Sequence, residues 1–229
     1  MPEHTGPHIL SRFDHDLESL RRKIDEMFSL VLKGLTNVES CLLDKDVERC
    51  NMTIADDEEV DGFERCISVE ATGLIMRFQP VAVDLRIVIA TIKVSGNLER
   101  VGDNLVGIAR RAKKLLATRS IPEMEPLKII LVETRTFLEH VVCAFLNRNP
   151  PSLNWMESAY TALITRTHTY SEFVTNRISY ELDQGVSSCI DLIHIAKHLE
   201  QLASIGRGIG LDTHFAMHPD AALKTSGDA

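Results

Sequence analysis

The stretch from Phe78 to Ala109 constrains the fold of this chain more than any other. Pro80 ends any helix that precedes it and allows a new one to begin at once, because proline suits the first turn of a helix. Beyond it, one helical face is marked by residues that recur every three or four positions: Leu85, Ile89, Ile92, Gly96, Glu99, Asp103 and Val106. The pattern predicts a break at Pro80 followed by a long helix.

Two carboxylates lie in that predicted packing face. Glu99 is one heptad after Ile92, and Asp103 is one heptad after Gly96. An unpaired buried carboxylate is costly, so the pair must meet a cation, share a proton or reach solvent. This is the most informative candidate site in the sequence.

Composition narrows the class of protein. The 229 residues carry a formal net charge of −8, which argues against nucleic acid as a partner. The N-terminus has no apolar signal core, and no stretch reaches the ~18 apolar residues of a membrane span, so we expect a cytoplasmic protein. The cysteines lack any C-x-x-C spacing and are odd in number, which favours reduced thiols: Cys41, Cys50, Cys66, Cys143 and Cys189.

Apolar residues at helical spacing predict six long helices and no sheet. The predicted helices extend to about Leu43, from Asp46 to Phe78, from Pro80 to Thr118, from Pro122 to before Asn147, from Leu153 to Leu182 and from Val186 to Phe215. The segment Asn147–Ser152, NRNPPS, is the clearest loop of the second half.

A repeat relates the two halves of the chain. The segments IKVSGNLERVGDNLVGI and IHIAKHLEQLASIGRGI align with Glu99 over Glu200 and Asp103 over Ser204. The repeat predicts an all-α fold of two tandem, pseudo-symmetric three-helix bundles, residues 8–118 and 122–215, which arose by duplication. Residues 216–229 are small and polar, and we expect them to be a disordered tail.

Acidic residues on the second and third helices form what we call the acid cluster: Asp57, Asp61, Glu64, Glu99 and Asp103. Their spacing places each group on one face of its helix, and antiparallel neighbours joined by a short turn would bring both groups together. An all-carboxylate set suits Mg²⁺, Mn²⁺, Ca²⁺ or iron better than zinc. The alternative is a solvated face on which Arg65, Lys93 and Arg100 pair with these acids.

Catalytic interpretations have weaker support. No Glu in the sequence is followed by a His three residues later, as a ferritin-like di-iron centre requires. GRGIG, residues 206–210, lacks the phosphate-loop pattern. Asp191, His194 and His198 have spacing that could bind a metal, but we expect the two histidines to be solvated instead.

The sequence carries Q-P-x-A-x-D-L-R at Gln79–Arg86 and L-E-R-V-G-D at Leu98–Asp103. In these motifs it resembles the PhoU family of phosphate-uptake regulators. The D-x-x-V-D-x-x-E pattern of residues 57–64 is also similar to a motif of that family. The resemblance covers roughly residues 8–215, and the motifs of the first half carry it.

The resemblance implies a cytoplasmic, non-enzymatic negative regulator of phosphate uptake and phosphate-starvation signalling. Such a protein links the ATPase of a phosphate ABC transporter (PstB-like) to a sensor histidine kinase (PhoR-like), often as a homodimer that reaches the membrane only through its partners. The alternatives are an accessory of another phosphate carrier without a kinase partner, or a metal-dependent hydrolase or oxidase that uses the acid cluster.

The resemblance also implies functional residues. The family's acidic motifs hold iron, manganese, zinc or magnesium, and that role carries over to the acid cluster. Within the signature we expect Arg86 to face outward as a partner contact and Asp84 to cap the new helix. The second half has Ser204 where the repeat has an acid, and Glu172 alone is acidic in residues 167–174, so we expect metal in the first bundle only.

Overall fold

The computed structural model describes residues 6–117, 124–178 and 185–218. These residues form long helices connected by turns and loops, with no strand among them. The helices are α1 (Gly6–Asp44), α2 (Val47–Phe78), α3 (Ala82–Leu116), α4 (Met124–Leu146), α5 (Leu153–Ile178) and α6 (Val186–Met217). The predicted all-α fold is confirmed.

Local chemistry sets the two turns of the first half. Asp46 caps α2 by accepting a hydrogen bond of 3.0 Å from the backbone N–H of Glu48. At its other end, α2 closes with Gln79 in the left-handed conformation, and the N–H of Gln79 donates to the Ile75 carbonyl. Pro80 follows, so the predicted break is confirmed. Asp84 lies in the first turn of α3, whereas the cap position is Val81, which makes no side-chain capping bond.

The two halves meet where α3 packs along α6. The helices are antiparallel, because Lys93 bonds Asp212 at 2.9 Å and Arg111 bonds Asp191 at 2.8 Å. In the first half α3 also contacts α1 and α2, and in the second α6 also contacts α4 and α5. Leu98 and Leu199 are fully buried near the middle of this arrangement. The core is therefore continuous from one half to the other.

Helix ends agree closely with the predicted ones where the structure describes them. α6 continues to Met217, and Ala216 is buried, so the first part of the predicted tail belongs to the helix. The predicted ends of the third and fifth helices, at Thr118 and Leu182, lie outside the described residues, as does the tail from residue 219. The division at residues 118–122 into two bundles stays a prediction.

The packing face of α3 is not the predicted one. The buried face comprises Val94, Leu98, Val101, Gly102, Leu105 and Ile108, whereas Glu99 is half-buried and Asp103 is exposed. Because α3 packs against three other helices, apolar residues cover more than one stripe, and spacings of three and four fit either of two adjacent stripes. The acids of α3 therefore border the core, where they reach solvent.

The expectation of reduced thiols is wrong for one pair. Cys41 and Cys50 form a disulfide, with Cα atoms 5.9 Å apart, and both residues are fully buried. Cys41 lies four residues before the α1–α2 turn and Cys50 lies four after it, so antiparallel packing places them opposite each other. A search for C-x-x-C motifs does not detect such a pair. Cys66 and Cys143 are exposed thiols and Cys189 is a buried one.

Two glycines of α3 offer a matched test of how closely α2 and α3 approach. A Cβ added at Gly102 would lie 3.2 Å from Asp57 Oδ1 and 3.3 Å from Val60 Cγ1, whereas one added at Gly96 would meet nothing within 4 Å. Alanine favours a helix over glycine by up to about 1 kcal/mol. We expect Gly96→Ala to raise the free energy of unfolding and Gly102→Ala to lose that gain through crowding. Urea unfolding measures both, and equal gains would contradict the close approach.

Candidate functional site

In α2, acidic residues occupy positions of the buried stripe itself. That stripe recurs every three or four residues through Cys50, Thr53, Val60, Ile67, Ala71 and Leu74. Asp57 and Glu64 fill the two middle positions of the same spacing, and both are half-buried. Two acids of α2 therefore lie in the line of its buried residues, while Asp61 lies beside them.

The acids of α2 face those of α3. Helix α2 runs antiparallel to α3, and Gly102 allows the Asp57 carboxylate to lie against the α3 backbone. Asp57 interacts electrostatically with Asp61 and Asp103, and Glu99 interacts with all four other members of the acid cluster. The predicted convergence of these residues is thus present in the fold.

The convergence of these acids raises the pKa values of two of them. Partial burial raises the pKa of Asp57, and the nearby charges of Asp61 and Asp103 raise it further. Partial burial likewise raises the pKa of Glu99, with the charge of Asp103 as the next cause. Asp57 and Glu99 therefore bind a proton more readily in the folded protein than in the unfolded chain.

Basic side chains compensate the acid cluster only weakly. Within the described residues, the one ion pair to the cluster joins Arg65 to Asp61 at 3.9 Å, and both side chains are largely exposed. Arg110 lowers the pKa of Asp57 as the smallest of its influences. Lys93 instead pairs with Asp212 on α6, and Arg100 is exposed. The interpretation as a fully paired solvated face therefore has little support.

The donor set fits a hard cation, although the side chains do not form a finished cage. All five members offer carboxylate oxygens, and Asp57 Oδ1 is buried without a hydrogen-bond partner in the described part of the chain. As placed, no three His, Cys, Asp or Glu side chains among the described residues form a group that could hold an ion. Metal binding by these residues stays a prediction.

The corresponding place in the second half is arranged differently. Glu200, the counterpart of Glu99, accepts a hydrogen bond of 2.7 Å from Lys197 Nζ, and His168 Nε2 lies 3.7 Å from its other oxygen. The Ser204 hydroxyl donates to the carbonyl of Glu200. Ala203 replaces Gly102, so a Cβ is present where the first half has none. Lys197 of the same helix therefore supplies a positive charge to Glu200.

Polar contacts between α3 and α6 correct another expectation. Asp191 is buried and pairs with Arg111, and His198 is half-buried with its Nδ1 2.9 Å from Asn104 Oδ1. Of the two histidines expected to be solvated, only His194 is exposed. Burial lowers the pKa of His198, and the positive charge of Arg111 lowers it further. Sequence spacing missed these contacts because their partners lie on the other half of the chain.

Arg86 does not face outward as expected. It is half-buried, with its guanidinium carbon 5.5 Å from the ring centroid of Phe215 on α6. Its Nη1 atom is buried and, among the described residues, has no hydrogen-bond partner. The exposed residues of the signature include apolar ones, since Val81 is 73% exposed, and Met76 just before the signature is 74% exposed.

Within the described residues, no helix is long and apolar enough to cross a membrane.

Comparison with protein families gives one domain match and several full-length relatives. The family model described as "PhoU domain" matches residues 24–112. A "Phosphate-specific transport system accessory protein PhoU homolog" from Zymomonas mobilis is 30% identical over 215 residues, which is 91% of this chain and 88% of the relative. A protein of the same name from Rhizobium meliloti is 29% identical over 208 residues, covering 85% of this chain and 82% of the relative.

Solved structures agree in fold. The crystal structure of PhoU from Pseudomonas aeruginosa superposes with a TM-score of 0.86 at 22% identity, covering 90% of this chain and 99% of that one. The phosphate transport system regulatory protein PhoU from Streptococcus pneumoniae gives a TM-score of 0.77 at 20% identity, covering 91% and 98%. Both cover nearly the whole described chain, including the second half, for which the sequence motifs are weak.

The raised pKa values of the acid cluster predict a pH dependence. A raised pKa means that the folded state binds more protons than the unfolded chain, so stability falls as pH rises from about 4 through the raised values. In metal-free protein we expect Glu99→Gln to raise the free energy of unfolding at pH 7 and to make its fall with rising pH, above about pH 4, shallower. Urea unfolding at several pH values in a chelator measures both.

The matched control is Glu59→Gln, which removes the same charge from an exposed position of α2. We expect the free energy of unfolding of this variant to change with pH as steeply as that of the wild-type protein. If the free energy of unfolding of Glu99→Gln and of Glu59→Gln changed equally steeply with pH, repulsion within the acid cluster would not be lowering the stability of the fold.

Proposed function

The chain belongs to the PhoU family, and from this we propose that it is a regulatory accessory protein of a phosphate transport system. The observation that carries the proposal is the match along nearly the whole chain to relatives named as accessory proteins of phosphate-specific transport. We propose that it restrains phosphate uptake and phosphate-starvation signalling by linking a transporter ATPase to a sensor histidine kinase in the cytoplasm.

The regulatory proposal is favoured over the enzymatic one by the relatives and by the site. The relatives are named for an accessory role, and a metal-dependent hydrolase or oxidase would have to use the acid cluster as its centre. That cluster is spread along the contact between two helices, with its members on both sides of the contact. Such an arrangement suits an ion that joins helices.

We propose that the acid cluster binds a hard metal ion or ions between α2 and α3. Asp57, Asp61 and Glu64 would offer oxygens from α2, and Glu99 and Asp103 would offer them from α3. The bound metal would supply the positive charge that the surrounding side chains lack, so its binding should stabilise the fold. The buried Asp57 oxygen without a hydrogen-bond partner supports this assignment.

The second half supports an asymmetric version of the proposal. Lys197 already lies next to Glu200, so that carboxylate has a counter-charge without a metal. Glu172 is exposed. We therefore propose that metal occupies the first half only.

Elemental analysis tests the asymmetry directly. We expect bound metal in the purified protein to be lost in the triple variant Asp61→Ala, Glu99→Ala, Asp103→Ala, because three of the five carboxylates are gone. The matched control Glu200→Ala should keep its metal. Metal retained in the triple variant and lost with Glu200 would contradict the assignment, and metal absent from every protein would remove the metal proposal while leaving the family assignment intact.

Partner association is tested by co-purification with the transporter ATPase from phosphate-replete cells. We expect Val81→Asp to weaken co-purification at least tenfold without lowering the thermal midpoint, because Val81 is an exposed apolar residue of the signature turn and aspartate is a favoured residue at this cap position of α3. The matched control is Val69→Asp, since Val69 is 72% exposed on α2 and lies outside the signature. Loss of binding in the control alone would move the interface away from the turn.

Arg86→Glu separates the two roles of the signature arginine. Because Arg86 packs on Phe215, we expect the variant to lower the thermal midpoint as well as to weaken co-purification. Normal binding with reduced stability would assign Arg86 a structural role alone.

The same co-purification with wild-type protein tests the kinase partner. Recovery of the ATPase without a sensor kinase would favour the alternative, an accessory of a phosphate carrier that lacks a kinase partner. Analytical ultracentrifugation tests the homodimer that the family resemblance implies.

A further inference from the structure

We propose that Cys41 and Cys50 form a reversible redox site that locks the end of the α1–α2 hairpin. A low-molecular-weight disulfide would oxidise the pair, and thiols would reduce it. The pair is bonded across two antiparallel helices, and each cysteine lies one helical turn from the connecting residues. This proposal does not depend on the proposed regulatory function or on metal binding.

The position of the bond makes it both protected and reachable. Both cysteines are fully buried, so neither sulfur contacts solvent in the closed hairpin. Cys41 lies in the last turn of α1 and Cys50 in the first turn of α2, and at this end of the hairpin Leu43, Lys45 and Val47 are exposed. Terminal turns open at low free energy compared with the core, so local opening of the hairpin end would admit a small thiol or disulfide.

Polar contacts between α1 and the first two turns of α2 are few and long, although Lys113 on α3 donates a hydrogen bond of 2.6 Å to Asn51. Arg49 donates to Asn37 Oδ1 on α1 at 3.3 Å, and the Thr53 hydroxyl lies 3.5 Å from the Gly34 carbonyl on the same helix. The Nδ2 atom of Asn37 is buried and has no hydrogen-bond partner within the described residues. The covalent bond is therefore the strongest connection between α1 and the beginning of α2.

The redox step balances without any metal or cofactor. A cysteine thiolate attacks one sulfur of the reagent disulfide, releases one thiol and forms a mixed disulfide. The second cysteine thiolate then displaces the remaining thiol and forms the Cys41–Cys50 bond. In total, two protein thiols and one reagent disulfide give one protein disulfide and two reagent thiols, so two electrons pass to the reagent.

The experiment uses the full chain with Cys66→Ser and Cys143→Ser, which removes the exposed thiols that would otherwise react. Folded protein is equilibrated with oxidised glutathione or with dithiothreitol, quenched with acid, alkylated in denaturant so that every free thiol reacts, and analysed by mass spectrometry. We expect Cys41 and Cys50 to resist alkylation after oxidised glutathione and to be alkylated after dithiothreitol. Closing a loop of this length should make the oxidised thermal midpoint higher by about 5–10 °C.

Cys41→Ala in the same background should abolish the difference between the two conditions. If that variant fails to fold, the oxidised and reduced forms of the parent still provide the comparison. Alkylation of both cysteines after oxidised glutathione would overturn the proposal, because no bond would have formed. Resistance of the bond to excess dithiothreitol in folded protein would also overturn it, because the bond would then be permanent.

Discussion

The antiparallel contact of α3 with α6 is the interaction on which the rest of the structure depends. Each of these helices is central to its own half, so their contact joins two cores into one. Apolar residues fill most of the contact, and buried Asp191 is tolerated there because Arg111 lies 2.8 Å away. Because α3 and α6 pack against each other on one side, the remaining helices cover their other sides. The acid cluster lies on the side of α3 that faces α2.

Local signals were enough to predict the fold but not the orientation of every helix. Pro80, the Asp46 cap and the apolar spacing act within a few residues, so helix ends could be predicted from them. The buried stripe of α3 was placed one residue away because a helix surrounded on three sides has more than one apolar stripe. The Cys41–Cys50 bond and the contacts of Asp191 and His198 depend on which helices become neighbours, which spacing alone does not specify.

The candidate site was partly predictable for a similar reason. Two carboxylates at stripe positions of α2 are visible in the sequence, and an antiparallel turn brings them to α3. What the sequence could not show is how poorly they are compensated, since Lys93, a nearby base in the sequence, pairs across the interface with Asp212. The role of Gly102 also becomes apparent only when Asp57 is seen against it.

Two glycines in the repeat have a consequence for the origin of the chain. The His198 ring occupies the space beside Gly107, and Asn97 lies near Gly208. In the aligned repeat, Asn97 corresponds to His198 and Gly107 to Gly208. The contact of His198 with Gly107 and that of Asn97 with Gly208 are therefore related by a pseudo-twofold axis. A contact in which the same patch meets its own copy is the isologous kind found in symmetric dimers. The interface inside this chain therefore has the form of a subunit interface, as expected if a three-helix ancestor paired with itself before its gene was duplicated and fused.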